Sequence, residues 1–117
     1  MSYRPGLHLI ASFTTLHISL LYEHSDFMKL MNELITRHQL QKLGEVYHNF
    51  QPAGFTGVVC LSESHVSVHT WPEEGRVNLD IYLSNHLRVN DDTVKNLYEA
   101  LKNYFKGTVE QEQFISR

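Results

Sequence analysis

Residues 60–75, CLSESHVSVHTWPEEG, form the densest polar cluster of the chain. His65 and His69 are the kind of pair that binds zinc when a spacing of four residues places both on one face of a helix. Here, however, they alternate with Val66 and Val68, and alternating β-branched and polar residues are typical of a strand. Four residues of strand span about 13 Å, which exceeds the ligand shell of one ion. The pattern therefore predicts no metal site, and a half-buried strand with valines inward and histidines outward.

The rest of the chain must position this segment, and its pattern changes clearly between strand and helix. Apolar and β-branched runs predict six strands, over residues 7–15, 46–50, 57–61, 65–71, 76–83 and 108–115. Apolar residues at helical spacing predict one helix from Ser25, a good N-cap, to Gly44, and a second from an Asp91 or Asp92 cap to Gly107. We expect a single domain over residues 1–117. Its class is α+β, a two-layer sandwich with a mostly antiparallel sheet and both helices on one face.

Composition limits the kinds of partner. A chain of 117 residues with 42% hydrophobic residues can bury the core of one ordinary domain. The net charge of −3 argues against binding to nucleic acid or an anionic membrane by bulk charge, so we expect a small molecule or another protein as partner. Cys60 is the only cysteine, which excludes an internal disulfide. No apolar run approaches the ~18 residues of a spanning helix, and we expect a soluble, cytoplasmic protein.

The polar segment closely resembles the processing site of the S-adenosylmethionine decarboxylases, specifically their short bacterial and archaeal proenzymes. Those chains carry a Leu-(Ser/Ala)-Glu-Ser-His block followed by His-Thr-Trp-Pro-Glu, and these blocks stand here at residues 61–65 and 69–73. The resemblance extends to GLHLIASF near the start, to HNFQPAGFTGVV before the block and to the Asp-Ile-Tyr of residues 80–82. It covers most of residues 6–107.

This resemblance implies an enzyme that cleaves itself between Glu63 and Ser64. In the family, the serine hydroxyl attacks the preceding carbonyl, and the resulting ester is broken by β-elimination, which leaves a pyruvoyl group on the new N-terminus. His69 matches the family's processing base. Thr56 stands where the family has a hydroxyl residue, usually serine, that assists the rearrangement. The implied cofactor is therefore a covalent pyruvoyl group derived from Ser64, with no metal.

The resemblance also implies how a substrate binds. The family forms a Schiff base between the pyruvoyl group and the substrate's α-amine and decarboxylates S-adenosylmethionine for spermidine and other polyamine synthesis. Phe50 matches the aromatic residue that stacks on adenine, and Glu73 matches the glutamate that holds the ribose hydroxyls. His65 is a further candidate on the substrate side. On residue type alone, an aromatic at a strand end is commonly a core residue, and a Pro-Glu pair is a common turn.

Position 84 departs from the family. A cysteine twenty residues after the pyruvoyl serine returns the proton to the substrate's α-carbon in the family, and this chain has Ser84 there. A thiol has a reference pKa of about 8.5, whereas an aliphatic hydroxyl is a much weaker acid. Ser84 would have to position water or relay a proton from His65, unless the substrate differs. Cys60 is a less expected donor, since a lone cysteine in a strand is more often a small core residue. Ser12 is a second departure, where the family usually has an acidic residue.

Three functions remain open on the sequence. The first is decarboxylation of S-adenosylmethionine, the family's commonest activity. The second is decarboxylation of ornithine or arginine on the same scaffold, in which Glu73 would meet a cationic side chain. The third is an uncleaved, inactive homologue, which is least expected because Glu63, Ser64, His69 and the Thr56 hydroxyl are all present.

We also expect a homodimer of cleaved protomers. Two helices on one face of a sheet leave the other face exposed, and an exposed face of that kind usually marks an interface. In the enzymes that this chain resembles, the sites form where two protomers meet.

Overall fold

A computed structural model describes residues 2–117, and in these residues six strands form one sheet. The strands are β1 (Leu7–Thr14), β2 (Lys42–Asn49), β3 (Phe55–Leu61), β4 (Ser64–Trp71), β5 (Arg76–Leu83) and β6 (Thr108–Ser116). The helices are α1 (Ser25–Arg37) and α2 (Asp91–Phe105), with short 3-10 turns at Ile18–Leu21 and Pro72–Glu74. The sheet order is β2-β3-β4-β5-β1-β6, and all neighbouring strands are antiparallel.

Both helices pack on the same face of the sheet. Phe27 of α1 contacts Phe55 of β3 and Phe105 of α2, with ring centroids 5.7 Å and 5.8 Å away. Phe105 in turn lies 5.9 Å from Phe13 of β1. All four rings are fully buried, and burying one such side chain stabilises the fold by about 1.5–3 kcal/mol. The predicted α+β sandwich with two helices on one face is confirmed.

The opposite side of the sheet, here called the outer face, carries the polar side chains of β3 and β4. The register places Thr56 opposite His69 and Cys60 opposite His65, and residues directly opposite each other in antiparallel strands point to the same side. Val66 is only 1% exposed and points to the helices. The predicted strand, with valines inward and histidines outward, is therefore confirmed.

The predicted end of the first helix is wrong. We expected the helix to continue to Gly44, but α1 ends at Arg37 and β2 begins at Lys42. Gln39 adopts a positive φ of 55°, which turns the chain out of the helix and lets Leu40 reach the core from an irregular segment. The backbone N–H of Ser62 then donates to the carbonyl of Gln41 at 2.9 Å. Pairing with the β3–β4 turn thus overrides the helical spacing.

The predicted caps are also displaced by one residue. His24 occupies the N-cap of α1, and Ser25 lies inside the helix with its hydroxyl donating to Glu23 Oε2 at 2.6 Å. Asn90, rather than Asp91 or Asp92, precedes α2. The Asn90 side chain is engaged with another part of the chain, so it does not cap the helix.

Candidate active site

The predicted cleavage site lies in the tight turn between β3 and β4. Ser62 and Glu63 form the turn, and Leu61 pairs with Ser64 across it. Ser64 has a φ of 132°, a conformation that costs an L-residue about 1–3 kcal/mol. The carbonyl oxygen of Glu63 accepts a hydrogen bond from the backbone N–H of Ser84 at 2.8 Å. The backbone is therefore strained at Ser64, and a fixed donor polarises the carbonyl before it.

The Glu63 side chain is buried and fully engaged. Glu63 as a residue is only 7% exposed. Its carboxylate accepts hydrogen bonds from Arg88 Nε at 3.1 Å and Arg88 Nη2 at 3.0 Å. Asn90 Nδ2 donates a third bond at 2.9 Å. The Arg88 hydrogen bonds hold the pKa of the Glu63 carboxyl below its ordinary value, with a smaller contribution from Asn90, although burial acts in the opposite direction. The carboxylate stays ionised near neutral pH.

His69 and Thr56, the predicted processing base and hydroxyl, form a hydrogen-bonded pair. Thr56 Oγ1 lies 2.5 Å from His69 Nδ1 and 3.4 Å from the carbonyl oxygen of Val68. The hydroxyl can donate to Nδ1, which leaves the proton of a neutral imidazole on Nε2, or it can accept from Nδ1 in the other tautomer. In both cases it fixes the orientation of the ring. The structure therefore brings together the two residues that sequence resemblance singled out as processing groups.

Two cavities meet at His69. One, of about 590 Å³, is lined by residues that include Phe50, Thr56, His69, Trp71 and Glu73. The other, of about 740 Å³, is lined by residues that include Cys60, Ser64, His65, His69 and Tyr82. The predicted processing residues and the predicted substrate-binding residues thus line adjoining cavities that share one histidine.

Ser84 occupies a different place. It lines neither of these two cavities, and its backbone is fixed at both polar groups: its N–H donates to Glu63, and its carbonyl accepts from Asn90 Nδ2 at 2.8 Å. Residue 84 therefore lies beside the cleavage turn, and the contacts that the structure gives it are made by its main chain.

Cys60 corrects a prediction. We expected a small core residue, but the thiol is exposed and lines the same cavity as Ser64. The cause is register, because Cys60 pairs with His65 and so points to the outer face.

Two histidines outside the motif, His8 and His24, have side-chain partners. His8 is buried, with Nδ1 at 3.2 Å from Arg117 Nη1 and Nε2 at 3.7 Å from Asp80 Oδ2. Burial lowers the pKa of His8. His24 Nδ1 lies 3.0 Å from Asn49 Oδ1, and its ring stacks on Tyr47 at 4.7 Å.

Arg88 and Asn90 are the site residues that the sequence did not reveal. They stand 25 and 27 residues after Glu63, in the connection between β5 and α2, and belong to no recognised motif. The pairing of β4 with β5 brings this connection beside the cleavage turn, since Ser64 lies opposite Leu83. Nothing in the sequence marks this contact, because an arginine in a loop is most often a solvated surface residue and does not stand out as the partner of a buried carboxylate.

Two further structural findings apply to residues 2–117. In this part of the chain, histidine, cysteine, aspartate and glutamate side chains form no group of three or more that could hold a metal ion. Within the same residues, neither helix combines the length and the apolar character that crossing a membrane requires.

Comparison with known proteins gives the same family as the motif. The family model described as S-adenosylmethionine decarboxylase matches residues 7–117. An S-adenosylmethionine decarboxylase proenzyme of Archaeoglobus fulgidus is 43% identical over 97 residues, which cover 83% of this chain and 87% of the relative. A proenzyme of the same name from Thermoplasma volcanium is 37% identical over 102 residues, covering 87% of this chain and 78% of the relative.

A solved structure supports the comparison at the level of the fold. The crystal structure of the adenosylmethionine decarboxylase from Aquifex aeolicus VF5 matches with a TM-score of 0.81 and 25% sequence identity. The match covers 99% of this chain and 91% of that chain. The fold and the motif thus define a decarboxylase. The chain belongs to the S-adenosylmethionine decarboxylase family.

Proposed function

We propose that this chain is a proenzyme that cleaves itself between Glu63 and Ser64 and then decarboxylates S-adenosylmethionine. The observation that carries the proposal is the strained φ of 132° at Ser64, directly after a carbonyl that accepts a hydrogen bond from Ser84. The names of the relatives from Archaeoglobus fulgidus and Thermoplasma volcanium support both parts of it.

The first step exchanges an amide for an ester. Ser64 Oγ adds to the carbonyl carbon of Glu63, and the C–N bond between the two residues breaks. The acyl group of Glu63 is then an ester on Ser64 Oγ, and the hydroxyl proton ends on the freed amine. This exchange is uphill in a relaxed chain, so strain at Ser64 favours it. The Ser84 N–H stabilises the negative charge that develops on the Glu63 oxygen.

The second step needs a base. Removal of the Ser64 Cα proton breaks the Cβ–O bond, so Glu63 leaves as a C-terminal carboxylate and residue 64 becomes dehydroalanine. Water then adds to the imine tautomer, and ammonia leaves, which produces the pyruvoyl group. We assign the base to His69, whose ring Thr56 orients through the 2.5 Å contact. Because His69 stands five residues after Ser64 on β4, about 16 Å along an extended strand, the His69 that acts on Ser64 in this proposal belongs to a second copy of the chain.

The residues around Ser64 fit such a group. A pyruvoyl group supplies an electron sink for the electrons that decarboxylation releases. The cavity at Ser64 is about 740 Å³, and the adjoining cavity with Phe50 and Glu73 is about 590 Å³, both within the range of small-molecule sites. In the proposed complex, Phe50 stacks on the adenine, and the Glu73 carboxylate accepts hydrogen bonds from the ribose hydroxyls.

The proposed proton return involves residue 84 and an imidazole. Ser84 stands at the family's donor position, but its hydroxyl is too weak an acid to protonate carbon near neutral pH unaided. His65 lines the cavity of Ser64, and an imidazole is the side chain that most often donates protons in general acid catalysis. We assign His65 the role of supplying the proton, directly or through Ser84 or water.

The proposed assembly is a homodimer through the outer face. Val46 and Val58 lie opposite each other on this face and are 73% and 44% exposed, while the helices cover only the other side of the sheet. The cavity of Ser64 lies along the same strands, so a second copy would close it. We expect sedimentation to give a dimer, and a monomer at micromolar concentration would contradict this assembly.

Release of labelled carbon dioxide tests the activity. Purified, cleaved protein is incubated with carboxyl-labelled S-adenosylmethionine, ornithine or arginine, and Ser64→Ala serves as the control. We expect release from S-adenosylmethionine alone, and none by the variant. Release from ornithine alone or from arginine alone would show that this amino acid, and not S-adenosylmethionine, is the substrate. A cleaved protein that releases none from all three would overturn the proposed decarboxylation.

A further inference from the structure

A polar network joins the cleavage turn to the connection between β5 and α2. The guanidinium of Arg88 makes two parallel hydrogen bonds to the Glu63 carboxylate, at 3.1 Å and 3.0 Å, and Asn90 adds a third at 2.9 Å. We call Arg88 and Asn90 the Glu63 clamp. Paired bonds between a guanidinium and a carboxylate fix direction as well as distance, because both groups are planar. The clamp therefore fixes the orientation of the Glu63 side chain.

The clamp is itself held in place. Arg88 Nη2 also donates to the carbonyl oxygens of Gln39 at 2.9 Å and His38 at 3.3 Å, just after α1, where the helix dipole favours a cation. The backbone N–H of Asn90 donates to Asn85 Oδ1 at 2.6 Å. Both members of the clamp thus have fixed positions before they contact Glu63.

The clamp also reaches the peptide group that would be cleaved. Asn90 Nδ2 donates to Glu63 Oε1 and to the carbonyl oxygen of Ser84, and the N–H of Ser84 donates to the carbonyl oxygen of Glu63. Glu63 is therefore held by its side chain and by its main chain, and Asn90 links the two attachments. Rotation of the Glu63 carbonyl away from the Ser84 N–H would break this network.

We propose that Arg88 and Asn90 are positioning residues for self-cleavage, which keep the Glu63 carbonyl on the Ser84 N–H and the peptide strained for attack by the Ser64 hydroxyl. This inference rests on the proposed cleavage between Glu63 and Ser64. If the ion pair between Arg88 and Glu63 served only to stabilise the fold, there would be no reason for it to lie at the cleavage turn in particular. Asn90 distinguishes the clamp from such a pair, because its Nδ2 contacts both the Glu63 carboxylate and the carbonyl of Ser84, whose own N–H holds the Glu63 carbonyl.

The rate of cleavage of freshly synthesised protein tests the clamp. Intact mass is followed over time for the wild type, Arg88→Ala, Arg88→Lys and Arg76→Ala. Arg76 is the matched control, because it also forms an ion pair, with Glu110 of β6, but lies at the end of β5 that is far from the cleavage turn. We expect Arg88→Ala to slow cleavage about 10-fold or more, since small displacements of reacting groups have effects of that size. Arg88→Lys should be slowed less, because an ammonium keeps the charge but loses the paired geometry. Arg76→Ala should cleave at the wild-type rate.

Hydroxylamine separates positioning from a later role or a general loss of stability. It cleaves an accumulated ester, so it should release fragments from His69→Ala, in which the base is missing. It should add none to the slow spontaneous cleavage of Arg88→Ala, in which ester formation is the slowed step and no ester accumulates. Arg88→Ala arrested as a hydroxylamine-sensitive ester would overturn the proposal. So would cleavage of both Arg88 variants at the wild-type rate.

Folding and the proposed function have separate readouts. Thermal unfolding of Arg88→Ala and Arg76→Ala, each in a Ser64→Ala background, shows whether the clamp variant folds. If it does not fold, Arg88→Lys decides, because slowed cleavage of the folded lysine variant supports the clamp and unchanged cleavage overturns it. A wild type that never cleaves overturns the proposed function and the clamp with it, whereas a cleaving wild type with equally fast clamp variants overturns the clamp alone.

Discussion

The turns at the two ends of β4 each have a residue with positive φ, but the residue is a glycine at one turn and a serine at the other. After β4, the Pro72–Glu74 turn ends at Gly75, whose φ is 59°. A Cβ at Gly75 would lie 2.8 Å from the carbonyl oxygen of Thr15, so glycine is the residue that fits. At the start of β4, the positive φ of 132° falls on Ser64, which has a side chain.

The difference between the turns shows what holds strain in place. The turn at Gly75 has no strain to retain, and Glu73 and Glu74 in it are not buried. The turn at Ser64 instead has a buried Glu63, held by Arg88 and Asn90. A conformation that costs about 1–3 kcal/mol persists only where its surroundings determine it, and such conformations cluster at functional sites. The comparison therefore supports the proposal that the reactive peptide lies at the clamped turn.

Loss of His69 or of its contact with Thr56 should have the largest effect on cleavage. We expect His69→Ala to slow cleavage by about 10²–10⁴-fold, the usual contribution of a positioned base. Thr56→Val, which removes only the hydroxyl, should slow it less, and Thr56→Ser should leave it nearly unchanged. Intact-mass time courses measure all three. Thr56→Val at the wild-type rate would show that the contact to His69 has no part in cleavage.

Restoring the family thiol should raise turnover. Because a thiol is a stronger acid than a hydroxyl, Ser84→Cys should increase decarboxylation of S-adenosylmethionine by about 10-fold or more, equivalent to about 1.4 kcal/mol in the barrier. Ser67→Cys, which adds a thiol in the cavity of Ser64, is the matched control. Equal and substantial turnover by the wild type and Ser84→Cys would instead mean that residue 84 takes no part in the proton transfer, and that His65 supplies the proton directly or through water.

Glycine should be more stable than alanine at the positive-φ position of both turns. In uncleaved protein, Ser64→Gly should be more stable than Ser64→Ala by about 1 kcal/mol, because glycine relieves the strained φ. Gly75→Ala should destabilise by about 1 kcal/mol or more and leave the cleavage rate unchanged. Denaturant unfolding measures each difference. If Ser64→Gly and Ser64→Ala are equally stable, Ser64 is not strained.

Much of the fold and part of the site follow from local sequence patterns. The alternation of Val66 and Val68 with polar residues predicted both the strand and its orientation, because a buried face fixes the register of a strand. The motif identified Ser64 and His69 for the same local reason, since both lie within one strand.

The rest depends on contacts between distant segments. The predicted first helix continued to Gly44, but α1 ends at Arg37 and the chain pairs with β3 from Lys42. Arg88 reaches Glu63 only through the packing of its connection beside the cleavage turn, and Cys60 is exposed only because of its register with His65. Neither position carries a pattern of its own, so sequence periodicity alone does not reveal it.

The mass of the purified wild-type protein tests the central claim most directly. We expect two fragments, residues 1–63 and a pyruvoyl-capped 64–117, whereas Ser64→Ala should remain one full-length chain. Ser62→Ala, which changes the neighbouring serine of the same turn, should cleave like the wild type. A single full-length species that persists on long incubation of the wild type would contradict the account.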